Sequence, residues 1–131
     1  TRRSSDLRTA FWLHCRANEG QAKGDVFYEQ GLALESAKGV VLLAGCSHPG
    51  IVKMVKAAAH ICGRPVYAVF GGLHLKDLTP SRIIRIGRSL KKAGVKKLYV
   101  GHCTGEKAYP LLKKVFGKSM ARLKEGRVYN L

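Results

Sequence analysis

The chain holds 131 residues, 46% of them hydrophobic, and carries a formal charge of +16, with 24 Lys and Arg against 8 Asp and Glu. A length in the usual range of about 100–150 residues suits one domain core or part of one, and the apolar runs fall far short of the roughly 20 residues a membrane-spanning helix requires. With no secretory leader to open the chain, four cysteines point to free thiols or metal ligands in a reducing compartment, so the expectation is a soluble, cytoplasmic protein with no membrane association.

In chain order, Phe11 to Arg16 reads as a strand and Asn18 to Gly24 as a loop. Val26 to Glu35 and Val40 to Cys46 read as a hairpin across Ser36-Ala37-Lys38-Gly39. The period then changes from two to about 3.6. Pro49 is placed as a first helical residue, and apolar side chains recur at Ile51, Val55 and Ala58 and at Val52, Ala59 and Cys62 before Gly63 stops the helix. Strand Val66 to Phe70 follows. Thr79 caps a second helix with Pro80 in its first turn, running through Ala93 to a stop at Gly94. Strand Lys97 to Val100 leads to a third helix ending near Gly117, for which Thr104-Gly105 reads as the cap. Pro110 requires this helix to kink or to begin only at Tyr109 to Pro110. Arg127 to Leu131 is expected to close the sheet as a short strand. Strands alternating with helices predict an α/β layer structure with parallel pairing, to which the opening hairpin adds an antiparallel part.

One pattern recurs three times: an apolar run ends in glycine and a histidine follows within three residues. The segments are Val40 to His48, Val66 to His74, and Leu98 to His102 with Cys103 next. Ligands of open sheets bind beyond the carboxyl ends of the strands, so three histidines leaving neighbouring strands there can converge on a metal. In an extended segment Cys46 and His48 point to the same face, and thiolate and imidazole both suit zinc. His102 and Cys103, if extended, point to opposite faces; His102 is the better ligand candidate because imidazole also tolerates iron or manganese. His14 and His60 read as ordinary structural or surface residues. Gly71-Gly72 permits unusual backbone angles before His74.

The order Gly45-Cys46-Ser47-His48-Pro49-Gly50-Ile51, then Gly71-Gly72-Leu73-His74-Leu75, then His102-Cys103-Thr104-Gly105, preceded by Glu29-Gln30-Gly31-Leu32-Ala33-Leu34, resembles the metallo-beta-lactamase superfamily. Within it, the likeness is to the branch containing dihydropterin ribofuranosylaminobenzene phosphate synthases and many hydrolases, and it runs from about Asp25 to Leu131. The resemblance implies a four-layer αββα sandwich with one or two metal ions, usually zinc, held by an H-x-H-x-D-H motif of the amino-terminal half and by ligands of the other half. No H-x-H-x-D-H occurs in these 131 residues, so residues 9–131 are expected to be the carboxy-terminal half of such a domain. By position, Cys46 falls where the superfamily often has a bridging aspartate, and His102 where its last histidine ligand is expected. His48 and His74 match branch motifs. The implied metal set is Cys46, His48 and His102; His74 is the candidate catalytic residue, as proton donor, substrate contact or further ligand. Lys53 stands where the branch usually has asparagine.

Residues 1–8 are set apart, because Thr1-Arg2-Arg3-Ser4-Ser5-Asp6-Leu7 resembles the translation of a common sequencing-adapter oligonucleotide. The implied activity is metal-dependent hydrolysis or a related transfer on a small molecule, and the basic balance is compatible with a phosphorylated one. The fragment is expected to be inactive without the missing half. Two other classes stay open: a basic nucleic-acid-binding module, and a structural zinc protein closed by Cys46, His48, His102 and Cys103. The first is disfavoured because the cations, from Lys53 to Lys118, are dispersed over what should be solvated helix faces rather than gathered in one stripe.

Overall fold

A turn at Ala37-Lys38 sets the first part of the sheet. Strands β2 (Phe27–Ser36) and β3 (Gly39–Ala44) pair antiparallel from Ser36 opposite Gly39 to Gly31 opposite Ala44, and the buried Ser36 Oγ donates to the Gly39 carbonyl at 2.7 Å. β1 (Ala10–Ala17) lies antiparallel along the other side of β2. The computed structural model describes residues 10–17 and 27–131, without the side chains of residues 12–17, 27, 28 and 102; the expected loop at Asn18 to Gly24 and the set-apart residues 1–8 lie outside the described residues.

From β3 onward the chain alternates. Helix α1 (Ile51–Cys62) leads to β4 (Val66–Gly72), α2 (Pro80–Lys92) to β5 (Lys97–Gly101), and α3 (Ala108–Phe116) to β6 (Met120–Arg122). β3, β4, β5 and β6 are mutually parallel neighbours, and the sheet order β1-β2-β3-β4-β5-β6 follows the sequence. Each parallel step needs a crossover, which a helix provides.

One apolar core joins the sheet to all three helices. Val40, Leu42, Leu98 and Val100 enter it from the strands. α1 contributes Ile51, Met54, Val55 and Ala58, spaced as one helical face; α2 contributes Ile83, Gly87 and Leu90; α3 contributes Ala108, Leu112 and Phe116. Gly87 lets α2 approach α3, since a Cβ there would sit 3.2–3.3 Å from Val115 and Leu112. On the opposite face of the sheet Phe70 stacks on Tyr99 with ring centroids 4.5 Å apart, and Tyr129 lies against both rings.

Four local expectations change. α1 starts at Ile51 with Gly50 as its cap, and Pro49 belongs to the preceding turn, closed by Gly50 N donating to the Ser47 carbonyl at 2.9 Å. α3 starts at Ala108, one residue ahead of the Tyr109 to Pro110 start that Pro110 predicted. Pro110 therefore falls in the first turn, where an amide has no intrahelical acceptor to lose. Thr104 does not cap this helix, because its hydroxyl is committed to the Leu73 amide in the loop after β4 and to the Gly101 carbonyl at the end of β5. The closing strand is Met120–Arg122 and not Arg127 to Leu131: the chain leaving α3 reaches the sheet edge directly, Leu98 pairing with Met120, while Val128 is 83% exposed. The Thr79 cap holds, with its hydroxyl accepting from Arg82 N at 3.4 Å.

Gly71 has φ 140°, and a Cβ there would overlap the Ala44 carbonyl oxygen. The β3–β4 approach is therefore open only to glycine. We predict that Gly71→Ala destabilises the fold by about 2–4 kcal/mol, whereas Gly63→Ala, at φ 66° with no neighbour in reach, costs about 1 kcal/mol. Urea unfolding checks this; equal costs would refute the steric account.

Candidate metal and substrate site at the strand ends

The parallel strands β3, β4 and β5 all stop at one edge of the sheet, and two buried hydroxyls tie the loops that leave them. Ser47 Oγ donates to the Gly72 carbonyl at 2.7 Å, and Thr104 Oγ1 accepts from Leu73 N at 3.1 Å while donating to the Gly101 carbonyl at 2.8 Å. Gly72 N donates to the Gly45 carbonyl at 2.8 Å. Ser47 and His74 both take left-handed backbone angles, φ 61° and 52°, which cost a non-glycine residue about 1–3 kcal/mol and persist only where the surroundings impose them.

These turns decide where the side chains go. The left-handed Ser47 breaks the two-residue alternation, so Cys46 and His48 do not share a cavity: His48 lines one with His74, and Cys46 lines a neighbouring one among Gly45, Gly71, Gly72 and Gly101. The rings of His48 and His74 lie 4.7 Å apart, tilted by 59°. His102 opens a short 3-10 turn, His102–Thr104, in place of an extended segment, and its side chain lies outside the described residues. That turn carries Cys103 toward Cys46, with the Cys103 thiol donating to the Cys46 carbonyl at 3.3 Å. Burial pushes the Cys103 thiol up, and the neighbouring Cys46 thiol adds to the shift.

Glu29, on β2, organises the first loop. Its Oε1 accepts from the amides of Cys46 and Ser47 at 3.0 and 3.3 Å, and its Oε2 lies 2.7 Å from His48 Nδ1. Burial raises the Glu29 carboxyl, but the hydrogen bonds from His48, Cys46 and Ser47 together outweigh it and hold the group below its ordinary range. An ionised carboxylate only accepts, so Nδ1 must carry the proton, which leaves the lone pair of a neutral His48 on Nε2. A ligating histidine is held in this way, its far nitrogen donating to a carboxylate. His74 Nδ1 is buried with no hydrogen-bond partner among the described residues.

Glu29 was not singled out in the sequence as a site residue, since a lone glutamate on a strand has no local signature. Its one signal was its place in the segment that carried the family resemblance. His60, on the exposed side of α1, stands apart from the site as expected.

The architecture matches known proteins. The fold is that of the beta-lactamase superfamily: a solved structure described as a metal-dependent hydrolase of that superfamily superposes with a TM-score of 0.80 at 23% identity, covering all of this chain and 57% of its own. In sequence, the chain is 48% identical over 101 residues to the 7,8-dihydropterin-6-methyl-4-(beta-D-ribofuranosyl)-aminobenzene-5'-phosphate synthase of Methanocaldococcus jannaschii, an alignment that takes in 76% of this chain and 34% of the relative. The chain thus spans about a third of the length of that curated relative. No family model matches. The resemblance read from the three glycine-histidine motifs is borne out, as is the α/β class, and among the described residues no helix is long and apolar enough to cross a membrane.

The Glu29 geometry has a pH signature. Because the folded carboxyl titrates below its ordinary value of 4.5, its stabilisation is fully present above that pH and is lost as pH falls through the lower folded value. We predict that Glu29→Gln costs about 1–3 kcal/mol near neutral pH, the usual range for hydrogen bonds to a charged group, with the difference from the parent shrinking below pH 4.5. Urea unfolding at a series of pH values reads it; a difference independent of pH would contradict the pairing.

Proposed function

We propose that this chain carries the strand-end part of a metal-dependent enzyme of the metallo-beta-lactamase fold, acting in the cytoplasm by hydrolysis or a related transfer on a small phosphorylated molecule. The observation that carries this reading is the Glu29–His48 pair, which fixes an imidazole as a metal ligand needs it. The thiols and imidazoles near it fit zinc in kind, and the buried, unpartnered His74 Nδ1 is a further donor. In number they fall short. Among the described residues no three of His, Cys, Asp and Glu converge as a metal group.

Cys46, His48 and His102 are accordingly proposed as a partial ligand set for zinc, with manganese or iron as the alternatives imidazole allows, to be completed by an H-x-H-x-D-H half absent from these residues. A bound ion of this kind supplies hydroxide near neutral pH and polarises a carbonyl or phosphoryl oxygen. The remaining work falls to the chain. Glu29 orients His48, the strand-end turns hold His74 beside it, and His74 exchanges a proton with a group in their shared cavity or contacts the substrate there. Support for a phosphorylated substrate comes from the basic balance and from the relative, whose name describes synthesis of a 5'-phosphate.

The 131-residue chain alone is expected to show no turnover of phosphodiester or lactone substrates with zinc or manganese. Joined to a complementary half that supplies an H-x-H-x-D-H motif, it should gain zinc-dependent turnover that falls by at least about 100-fold in His48→Ala and His102→Ala and by about 10–100-fold in Glu29→Gln. Metal-dependent turnover by the chain alone, lost in both histidine variants, would overturn the incomplete-site reading. A joined protein that binds no metal would overturn the enzyme reading.

A further inference from the structure

Cys46 and Cys103 stand 57 residues apart in the chain, yet the strand-end turns bring them together: the Cys103 thiol donates to the Cys46 carbonyl at 3.3 Å, and the Cys46 thiol lies within its hydrogen-bonding reach. Gly72 makes the room, since a Cβ there would fall 2.8 Å from the Cys103 Sγ. Cys46 in turn lines an open cavity of about 410 Å³ whose other lining is glycine, alanine and leucine, so its thiol is the one reactive side chain in that wall. Both cysteines are half-buried, within reach of a small reagent and shielded from a large one. Two thiols held side by side on loops that buried hydroxyls tie together react with each other as if highly concentrated.

We propose that Cys46 and Cys103 are a site of reversible oxidation, closed to a disulfide by a low-molecular-weight disulfide that enters through the glycine-lined cavity. The Cys46 sulfur attacks first, because it lines that cavity; it displaces one thiol from the reagent and is left as a mixed disulfide. The Cys103 sulfur then displaces the second thiol. Each cysteine gives up its proton and the pair gives up two electrons, which leave with the reagent as two thiols. Reversible bonds of this kind serve redox sensing where the surroundings are otherwise reducing. One consequence alone rests on the metal reading above: the bond withdraws Cys46 from the ligand set, so that oxidation and metal loading exclude each other.

The test treats the 131-residue chain, with excess chelator, with oxidised glutathione, quenches with acid and maps the cysteines by mass spectrometry without reduction. The Cys46–Cys103 linked peptide should exceed every other cysteine product at least about tenfold, including the glutathione adduct of Cys62, which is equally half-buried at the end of α1 and serves as the control. Reduced glutathione should reverse it, and in urea, where the fold no longer holds the thiols together, the preference should vanish. Cys103→Ser should trap glutathione on Cys46. Pairing of either cysteine with Cys15 or Cys62, mixed disulfides alone in the parent chain, or the same preference in urea would overturn the site. These outcomes are read on the parent chain and stand even if the variant does not fold. Zinc added before glutathione separates this from the metal reading: oxidation of the pair slowed at least about tenfold, with Cys62 unaffected, supports the mutual exclusion, and oxidation that zinc leaves unchanged sinks Cys46 as a ligand but not the disulfide.

Discussion

β4 passes so close to β3 that the Ala44 carbonyl leaves no room for a Cβ at Gly71, and the arrangement of the strand-end residues follows from that approach. With the backbones this near, the Gly72 amide reaches the Gly45 carbonyl and the Ser47 hydroxyl reaches the Gly72 carbonyl. Thr104 makes the same kind of link from β5 to the loop after β4. The two made by the Ser47 and Thr104 hydroxyls are buried, each worth about 1 kcal/mol net but costing about 1–3 kcal/mol if one partner is removed and the other stays buried. Three loops that would otherwise move independently are therefore one unit. That rigidity is what permits strained backbone at Ser47 and His74.

A functional consequence follows from the direction of those turns. The left-handed Ser47 sends His48 out over α1 and back to Glu29, across a hairpin 19 residues earlier in the chain, while Cys46 remains on the glycine-lined side with Cys103. Imidazoles and thiols thus occupy adjoining compartments of one edge. The large positive charge is distributed differently: Arg85, Arg88, Lys92, Lys113 and Lys114 are exposed on α2 and α3, away from the core, which agrees with solvated helix faces.

The architecture was legible where structure is local. The hairpin follows from its turn, α2 from Thr79 and Pro80, and the parallel order from strands alternating with helices. Misreadings arose where a partner lies far along the chain. Thr104 reads as a helix cap from its neighbours, but its hydroxyl serves Leu73, 31 residues away. The tail from Arg127 looks like a strand by composition, yet the edge position belongs to Met120, the first segment that α3 can deliver to β5. At the site, the histidines at strand ends were visible because glycine and histidine punctuate apolar runs. The compartment each one enters was not, because the positive φ of Ser47 and His74 is imposed by contacts and not by their own propensity.

The account turns on Glu29 holding the proton on His48 Nδ1 so that Nε2 is presented to a metal. Long-range proton–nitrogen NMR of the 131-residue chain, at a pH where His48 is neutral and before and after addition of zinc, measures this directly. The account predicts the Nδ1-protonated tautomer without zinc and a change confined to Nε2 when zinc is added. An Nε2-protonated ring, or a His48 signal that zinc leaves untouched, would contradict it.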